Sequence, residues 1–286
     1  MKKIFSAFWK ILLLTIVYFI LNAIMGMLRP LSNDMMAVMT PEDQAAFMPL
    51  FLFKVFLNMV VMYLVLTFLR YKGWKLFLGV WMAFWGLIHV VNGTELYWYN
   101  EAFPLFTYLD VTKLLVSSLV VYGLTALVGV WSVGGLKREE AEKQITFDAG
   151  RYGWKIGLFC VLYPLFYFSC GFITRLFPAA VEFYANWATT MEPFYILLLF
   201  NVFRGALWLV FSLPILLGAR TRKVALWLMP LMLFNATAME HMLPSAVLPG
   251  MVRLAHFIEL GFSMIVVGLF MVWLFIKDRD THAESK

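Results

Sequence analysis

The fold class this sequence predicts is an all-α integral membrane protein: eight transmembrane helices arranged as two parallel four-helix repeats, with both termini cytoplasmic. Three observations predict it. Of the 286 residues, 63% are hydrophobic and 14% charged, with a mean hydropathy of +0.82, more apolar surface than a water-soluble core can hide. The apolar residues fall in continuous runs of bilayer length rather than in alternation, which selects helices over barrel strands as the way to satisfy the backbone inside lipid. Finally, signposts in the first half of the chain recur in the same order in the second.

The runs read in order as spans over residues 9–28, 49–69, 76–91, 114–133, 154–173, 194–217, 224–239 and 252–276. Span one opens at Trp9-Lys10-Ile11 and closes at Arg29-Pro30. Lys2 and Lys3 before it look like the start of a signal peptide, but the run has full span length and its pattern recurs, so it reads as a retained helix. Ahead of span two, Thr40-Pro41-Glu42-Asp43 places an N-cap, a proline at the first helical position and acid in the first turn, predicting a short surface helix that feeds the span. Span three ends at Asn92-Gly-Thr-Glu95, and Tyr97, Trp98, Tyr99 and Phe103 beyond it read as an outer aromatic belt. Span four ends at Val130-Trp131. Span five opens at Trp154-Lys155-Ile156 and closes at Arg175 and Pro178, after which 178–187 reads as an interfacial helix carrying Phe183, Tyr184 and Trp187. Spans six and seven contain Pro214 and Pro230, where kinks are expected. Spans three and seven are the shortest, at the low end of what crosses about 30 Å of hydrocarbon. Span eight ends at Val272-Trp273.

Several of these signposts come in pairs. Lys54 precedes Arg70 by sixteen residues and Arg204 precedes Arg220 by the same count; Asn92-Gly-Thr-Glu95 matches Asn235-Ala-Thr-Ala-Met-Glu240. Each copy holds an even number of spans, so the copies share an orientation and are related by an axis along the membrane normal. The organisation expected is a first repeat over 1–136, a cytoplasmic linker over 137–150, a second repeat over 151–278 and a cytoplasmic tail over 279–286.

Lys and Arg cluster in alternate loops: Lys2, Lys3 and Lys10; Arg70, Lys72 and Lys75; Lys137, Arg138, Lys143, Arg151 and Lys155; Arg220, Arg222 and Lys223; Lys277 and Arg279. Asp34, Glu42, Asp43, Glu95, Glu101, Asp110, Glu182, Glu192 and Glu240 lie on the opposite side. The positive-inside rule then sets both termini in the cytoplasm of a multi-pass protein of the plasma membrane, the inner membrane of a bacterial cell. The net charge of +6 is an orientation signal, and no nucleic-acid partner is needed to explain it. No phosphate-binding glycine loop is present, so an ATP-driven mechanism within this chain is not expected. Cys160 and Cys170 lie on one helix about 15 Å apart along its axis, too far to bridge, and read as buried thiols. Met35, Met36 and Met39 read as an adaptable interfacial surface rather than a copper site. Asn92 and Asn235 head glycosylation-type triplets, but Asn235 lies inside a span.

Function in such a chain is sought where ionisable groups lie at membrane depth, because each costs roughly 2.5–3.5 kcal/mol at a helix centre. Arg204 is ten residues beyond Phe194, near mid-bilayer, with Asn201 on the same face. A guanidinium cannot shed its proton, so it demands an acid, carbonyls or water. Lys54 holds the corresponding place in the first half. Nearer the outer surface, His89, Asn92 and Glu95 drift around span three, Glu240-His241 ends span seven, and Arg253, His256, Glu259 and Ser263 form a polar stripe on span eight. Purely structural ion pairs are the bland account of these residues.

The leading expectation is a protein that binds or transports a small anionic or amphipathic solute through an outward-facing polar cavity between the repeats. Arg204, Asn201 and Lys54 would meet the solute, and His89, Asn92, Glu95, Glu240, His256 and Glu259 would gate it or relay protons. This reading requires no cofactor. One alternative is a membrane-embedded oxidoreductase or hydrolase with metal or haem held by His89, His241, His256 and Glu240; no His-Glu-x-x-His motif or repeated di-iron set supports it. The other is a non-catalytic subunit or assembly factor, whose partner would be another membrane protein.

Overall fold

The computed structural model describes residues 2–30, 37–99, 107–137, 139, 149–187 and 192–277. Most of the linker 137–150, the whole tail 279–286, and the loop residues Met35, Met36 and Phe103 lie outside the described residues. Among those described, every regular element is a helix. In order they are α1 (Lys2–Leu28), α2 (Pro41–Phe68), α3 (Gly73–Trp85), a π-helical segment (Gly86–Val90), α4 (Val91–Trp98), α5 (Tyr108–Ser132) and α6 (Ala149–Gly171). A 3₁₀ turn (Phe172–Leu176) leads to α7 (Pro178–Trp187), α8 (Phe194–Gly218) and α9 (Arg222–Thr237), and a second 3₁₀ turn (Ala238–Met242) to α10 (Gly250–Phe275).

Seven of the helical stretches are long and apolar enough to cross a membrane: Lys2–Leu28, Pro41–Phe68, Gly73–Trp98, Tyr108–Ser132, Tyr152–Leu176, Phe194–Gly218 and Gly250–Phe275. The seventh span expected from sequence is α9, whose 16 residues reach only about 24 Å at helical rise before the chain tightens into a 3₁₀ turn. Two other expectations are corrected. The Thr40 hydroxyl does accept the Asp43 N–H at 3.1 Å, and Pro41 does open the helix. Yet no separate surface helix follows: α2 runs unbroken for 28 residues with Pro49 inside it. One missing N–H does not end a helix whose other turns are hydrogen-bonded, and prolines within spans are tolerated where neighbours pack around them. The third span is also longer than expected, because α3 and α4 form one stretch through the π segment.

That segment has a local cause and a tertiary consequence. The Val91 N–H bonds the Gly86 carbonyl five residues back, so the register slips by one residue. The Asn92 side-chain amide donates to the Ile88 carbonyl (2.8 Å) and to the Ala236 carbonyl of α9 (2.9 Å). The slip re-aims His89, Asn92 and Glu95 and ties this helix to α9.

In lipid, apolar burial no longer drives helices together, so close backbone approach and interhelical hydrogen bonds do more of the work. α1 packs on α2 and α5, and α3 on α5; α6 packs on α8 and α10, and α9 on α10; α3 meets α8, and α2 meets α9. Two contacts need glycine. A Cβ on Gly86 would lie 2.0 Å from the Phe211 ring, and one on Gly268 would lie 2.7 Å from the Pro230 Cα. At one end of the bundle the termini of α2 and α8 meet in an isolated antiparallel bridge between Leu69 and Ala219. There Arg70 donates from its N–H to the Gly218 carbonyl (2.8 Å) and from Nε to the Leu217 carbonyl (3.2 Å), while Arg220 Nη2 donates to the Thr67 carbonyl (3.0 Å). In the middle, Asn235 donates to Asn58, at 2.8 Å, and Asn58 donates to the Tyr122 hydroxyl, at 2.6 Å. These bonds satisfy polar groups that would be costly if left bare.

Candidate functional site: a cavity walled by an ion pair, aromatic rings and a histidine cluster

Arg204 sits in mid-α8, 4% exposed. Its Nη1 and Nη2 donate to the two oxygens of Glu95 at 3.2 and 2.8 Å, a fork-on-fork pair of the strongest geometry available to these groups. The guanidinium also stands 5.4 Å from the Tyr167 ring and 5.7 Å from the Phe200 ring. Lys54, in mid-α2, pairs with Glu240 at 2.5 Å. Each buried cation therefore reaches an acid on the other half of the chain. Burial works against ionising Glu240, but the charge and hydrogen bond of Lys54, with smaller contributions from His89 and His241, together hold the carboxyl below its ordinary range.

A cavity of about 940 Å³ opens beside the first pair. Of the residues picked from sequence, His89, Asn92, Glu95, Arg204, Glu240, His241, His256 and Glu259 all line it. Lys54 and Asn201 do not. Lys54 stands behind Glu240, and the Asn201 amide donates to the Leu197 carbonyl of its own helix at 2.9 Å. The stripe on α10 also divides: Arg253 pairs with Asp43 at 3.3 Å and the Ser263 hydroxyl bonds the Leu260 carbonyl, leaving His256 and Glu259 to the cavity.

His256 lies between two partners. Its Nε2 meets the Tyr184 hydroxyl from α7, and its Nδ1 is 3.5 Å from Glu259 Oε2. His241 stacks on the same imidazole, with centroids 5.2 Å apart and planes at 29°. Burial, then the neighbouring His256 ring, pushes His241 down to about 4, so it is neutral near pH 7. Just past α4, burial and then Glu95 push the Tyr99 phenol up to about 12, keeping it a neutral donor. Among the buried polar atoms of the wall, His89 Nε2, Arg204 Nε, the Tyr163 hydroxyl and Trp208 Nε1 make no hydrogen bond of good geometry to the described residues.

The residues proposed as metal ligands do not form a ligand set. Among the described residues no three His, Cys, Asp or Glu side chains are placed to hold a metal. Imidazole lone pairs lie in the ring plane, so stacked His241 and His256 aim at no shared point between them, as a metal or a haem iron would require. Glu240, moreover, is committed to Lys54. The chemistry this wall offers is hydrogen bonding, ion pairing and proton exchange.

Sequence reasoning missed Tyr163, Tyr167, Tyr184 and Trp208, all of which line the cavity. Hydropathy counts these rings as apolar, so their polar ends were not weighed. One signal was available: Trp208 lies one turn beyond Arg204, on the same face. Tyr184 gave none, since its partner is 72 residues away.

No family model, curated protein or solved structure matches the chain. What its geometry defines is a class: among the described residues, an all-helical protein with seven helices long and apolar enough to cross a membrane and a cavity between helices whose mainly apolar wall carries an ion pair and histidines.

Proposed function

We propose that this is a membrane protein that binds, and carries across the bilayer, a small amphipathic solute held in the cavity between the π segment with α4, α5, α6, α8 and α10. The observation that carries the reading is the cavity itself: about 940 Å³ beside the Arg204–Glu95 pair and against Glu240, walled by aromatic rings and by groups able to exchange protons. Arg204 does not present an open cation, since Glu95 takes both its terminal nitrogens. Arg175 and Arg204 face Glu95, Glu240 and Glu259, with Lys54 behind Glu240, so the wall is close to balanced in charge. This favours an amphipathic solute over a simple anion.

In this reading α9 is an eighth crossing, both termini are cytoplasmic, and the two halves are repeats about an axis along the membrane normal. The helix contacts support the duplication, because α1, α2, α3 and α5 pack among themselves as α6, α8, α9 and α10 do. So do the reciprocal ties: Arg70 to Leu217 and Arg220 to Thr67, and Lys54 to Glu240 and Arg204 to Glu95.

Gly171 provides the test. It lines the cavity, and a Cβ there would meet nothing within 4 Å. Gly171→Phe should fill the space without disturbing the fold. Native mass spectrometry of the purified chain is expected to detect a bound small amphiphile that this variant loses, with its unfolding transition retained. Wild type and variant binding nothing, or both holding only bulk phospholipid to the same extent, would overturn the proposal.

A further inference from the structure

Once the ion pairs are accounted for, one carboxylate in the cavity is left over. Glu95 is matched by Arg204 and Glu240 by Lys54. Glu259 is 5% exposed, lines the cavity, and has as its ion-pair neighbour among the described residues only His256, at 3.5 Å. A carboxylate so placed within a span is expensive unless it takes up a proton or a cation.

Its surroundings offer both. Along the wall, Glu259, His256 and the Tyr184 hydroxyl stand in a row, from α10 to α7, so a proton on Glu259 has a relay of exchangeable groups to follow. Across the cavity are Tyr163, Tyr167 and Trp208, whose ring faces attract cations; the Arg204 guanidinium already lies over Tyr167. We infer that Glu259 is a shared site for a proton and for the positive end of a lipophilic organic cation, which compete for it. This assignment rests on the cavity reading above and names its solute class. On binding, Glu259 gives up its proton, which leaves through His256 and Tyr184, and the cation takes its place against the carboxylate. Charge is conserved: one positive charge enters as one proton departs.

Titratable groups of the neighbouring elements also face this part of the wall. From α6 come Tyr163 and Cys170, and from α7 Tyr184. The turn after α6 contributes Arg175 at the rim, and the turn after α9 contributes Glu240, held by Lys54, and His241, stacked on His256. α8 contributes Arg204, already paired with Glu95, and the charges of α9, Arg222 and Lys223, sit at its opposite end. Arg175 stands over the Phe172 ring and, among the described residues, makes no ion pair with Glu259; the other cations are paired or at the far end of their helix.

The test uses the purified full chain, with tetraphenylphosphonium as the cation and tetraphenylborate as its anionic isostere, by calorimetry in buffers of different ionisation heat. Tetraphenylphosphonium should bind and release close to one proton per cation, and its affinity should fall as pH falls, because the proton competes for the same site. Tetraphenylborate should not bind. Glu259→Gln should lose at least tenfold in affinity and all proton release, whereas Glu259→Asp should keep the release. Binding without proton release in wild type, or unchanged binding in Glu259→Gln, overturns the inference, and the wild-type measurement stands even if that variant fails to fold. Should tetraphenylphosphonium fail while a neutral or anionic amphiphile is lost in Gly171→Phe, the cation assignment falls and the cavity reading survives. Should Gly171→Phe alter no ligand, both fall.

Discussion

Breaking the Arg204–Glu95 pair from one side should cost more than breaking it from the other, and the structure says which. Glu95→Gln leaves a guanidinium that cannot deprotonate, and Arg204 is 4% exposed. That is an orphaned buried charge, for which a loss of about 3–5 kcal/mol is expected. Arg204→Gln instead orphans Glu95, whose side chain is 31% exposed to the cavity. Water and a shifted proton soften that loss, to about 1–2 kcal/mol. The double variant removes both charges and sets two amides side by side, and should return to within about 2 kcal/mol of wild type. Reversible unfolding in mixed micelles, followed by tryptophan fluorescence, measures all three variants, and the coupling follows from the double-mutant cycle. Equal single-site costs, or an Arg204→Gln variant less stable than Glu95→Gln, would refute the view that relative burial sets the penalty.

Other outcomes follow from the same coordinates. Gly268→Ala should destabilise by about 2 kcal/mol or more, because its Cβ meets the Pro230 backbone at 2.7 Å; Gly171→Ala, facing open space, should stay within about 1 kcal/mol. Matched thermal unfolding of the two variants checks this. Between its ordinary value of 6.5 and about 4, the unfolded chain takes up a proton that folded His241 refuses. Stability should therefore fall as pH falls through that window, and His241→Gln should flatten this part of the curve in a pH series of unfolding midpoints. In a background lacking Cys160 and Cys170, Leu69→Cys with Ala219→Cys should form a disulfide on mild oxidation, since bridge partners lie within disulfide reach. After cleavage between α5 and α6, the two halves should then migrate together on a non-reducing gel, and separation would contradict the bridge.

Much of the helical frame was legible in the chain. Continuous apolar runs, the N-cap at Thr40, and prolines within spans depend on local chemistry and on the dielectric of lipid, which act on each segment alone. So does the cost of a charge at membrane depth, which is why Arg204, Glu95, Glu240, His256 and Glu259 stood out before any coordinates. What each would touch did not follow. Asn201 shares a face with Arg204 yet bonds its own helix, because a neighbouring carbonyl was nearer than any partner. Lys54 matches Arg204 in position, but it stands outside the cavity. The one-residue slip at Gly86–Val90 has no marker in composition; it is set by the fit of Gly86 beneath Phe211 and of Asn92 against α9.

The division has a physical root. Partition into a bilayer is a sum over single residues, so the sequence alone determined that the chain is helical, that seven of its apolar stretches can cross, and which groups at membrane depth would demand partners. Pairing is a property of geometry between segments far apart in the chain. Only the tertiary structure decided that Arg204 and Lys54 are each matched by an acid from the other half, that His241 and His256 stack rather than gather a metal, and that Glu259 is left facing a cavity.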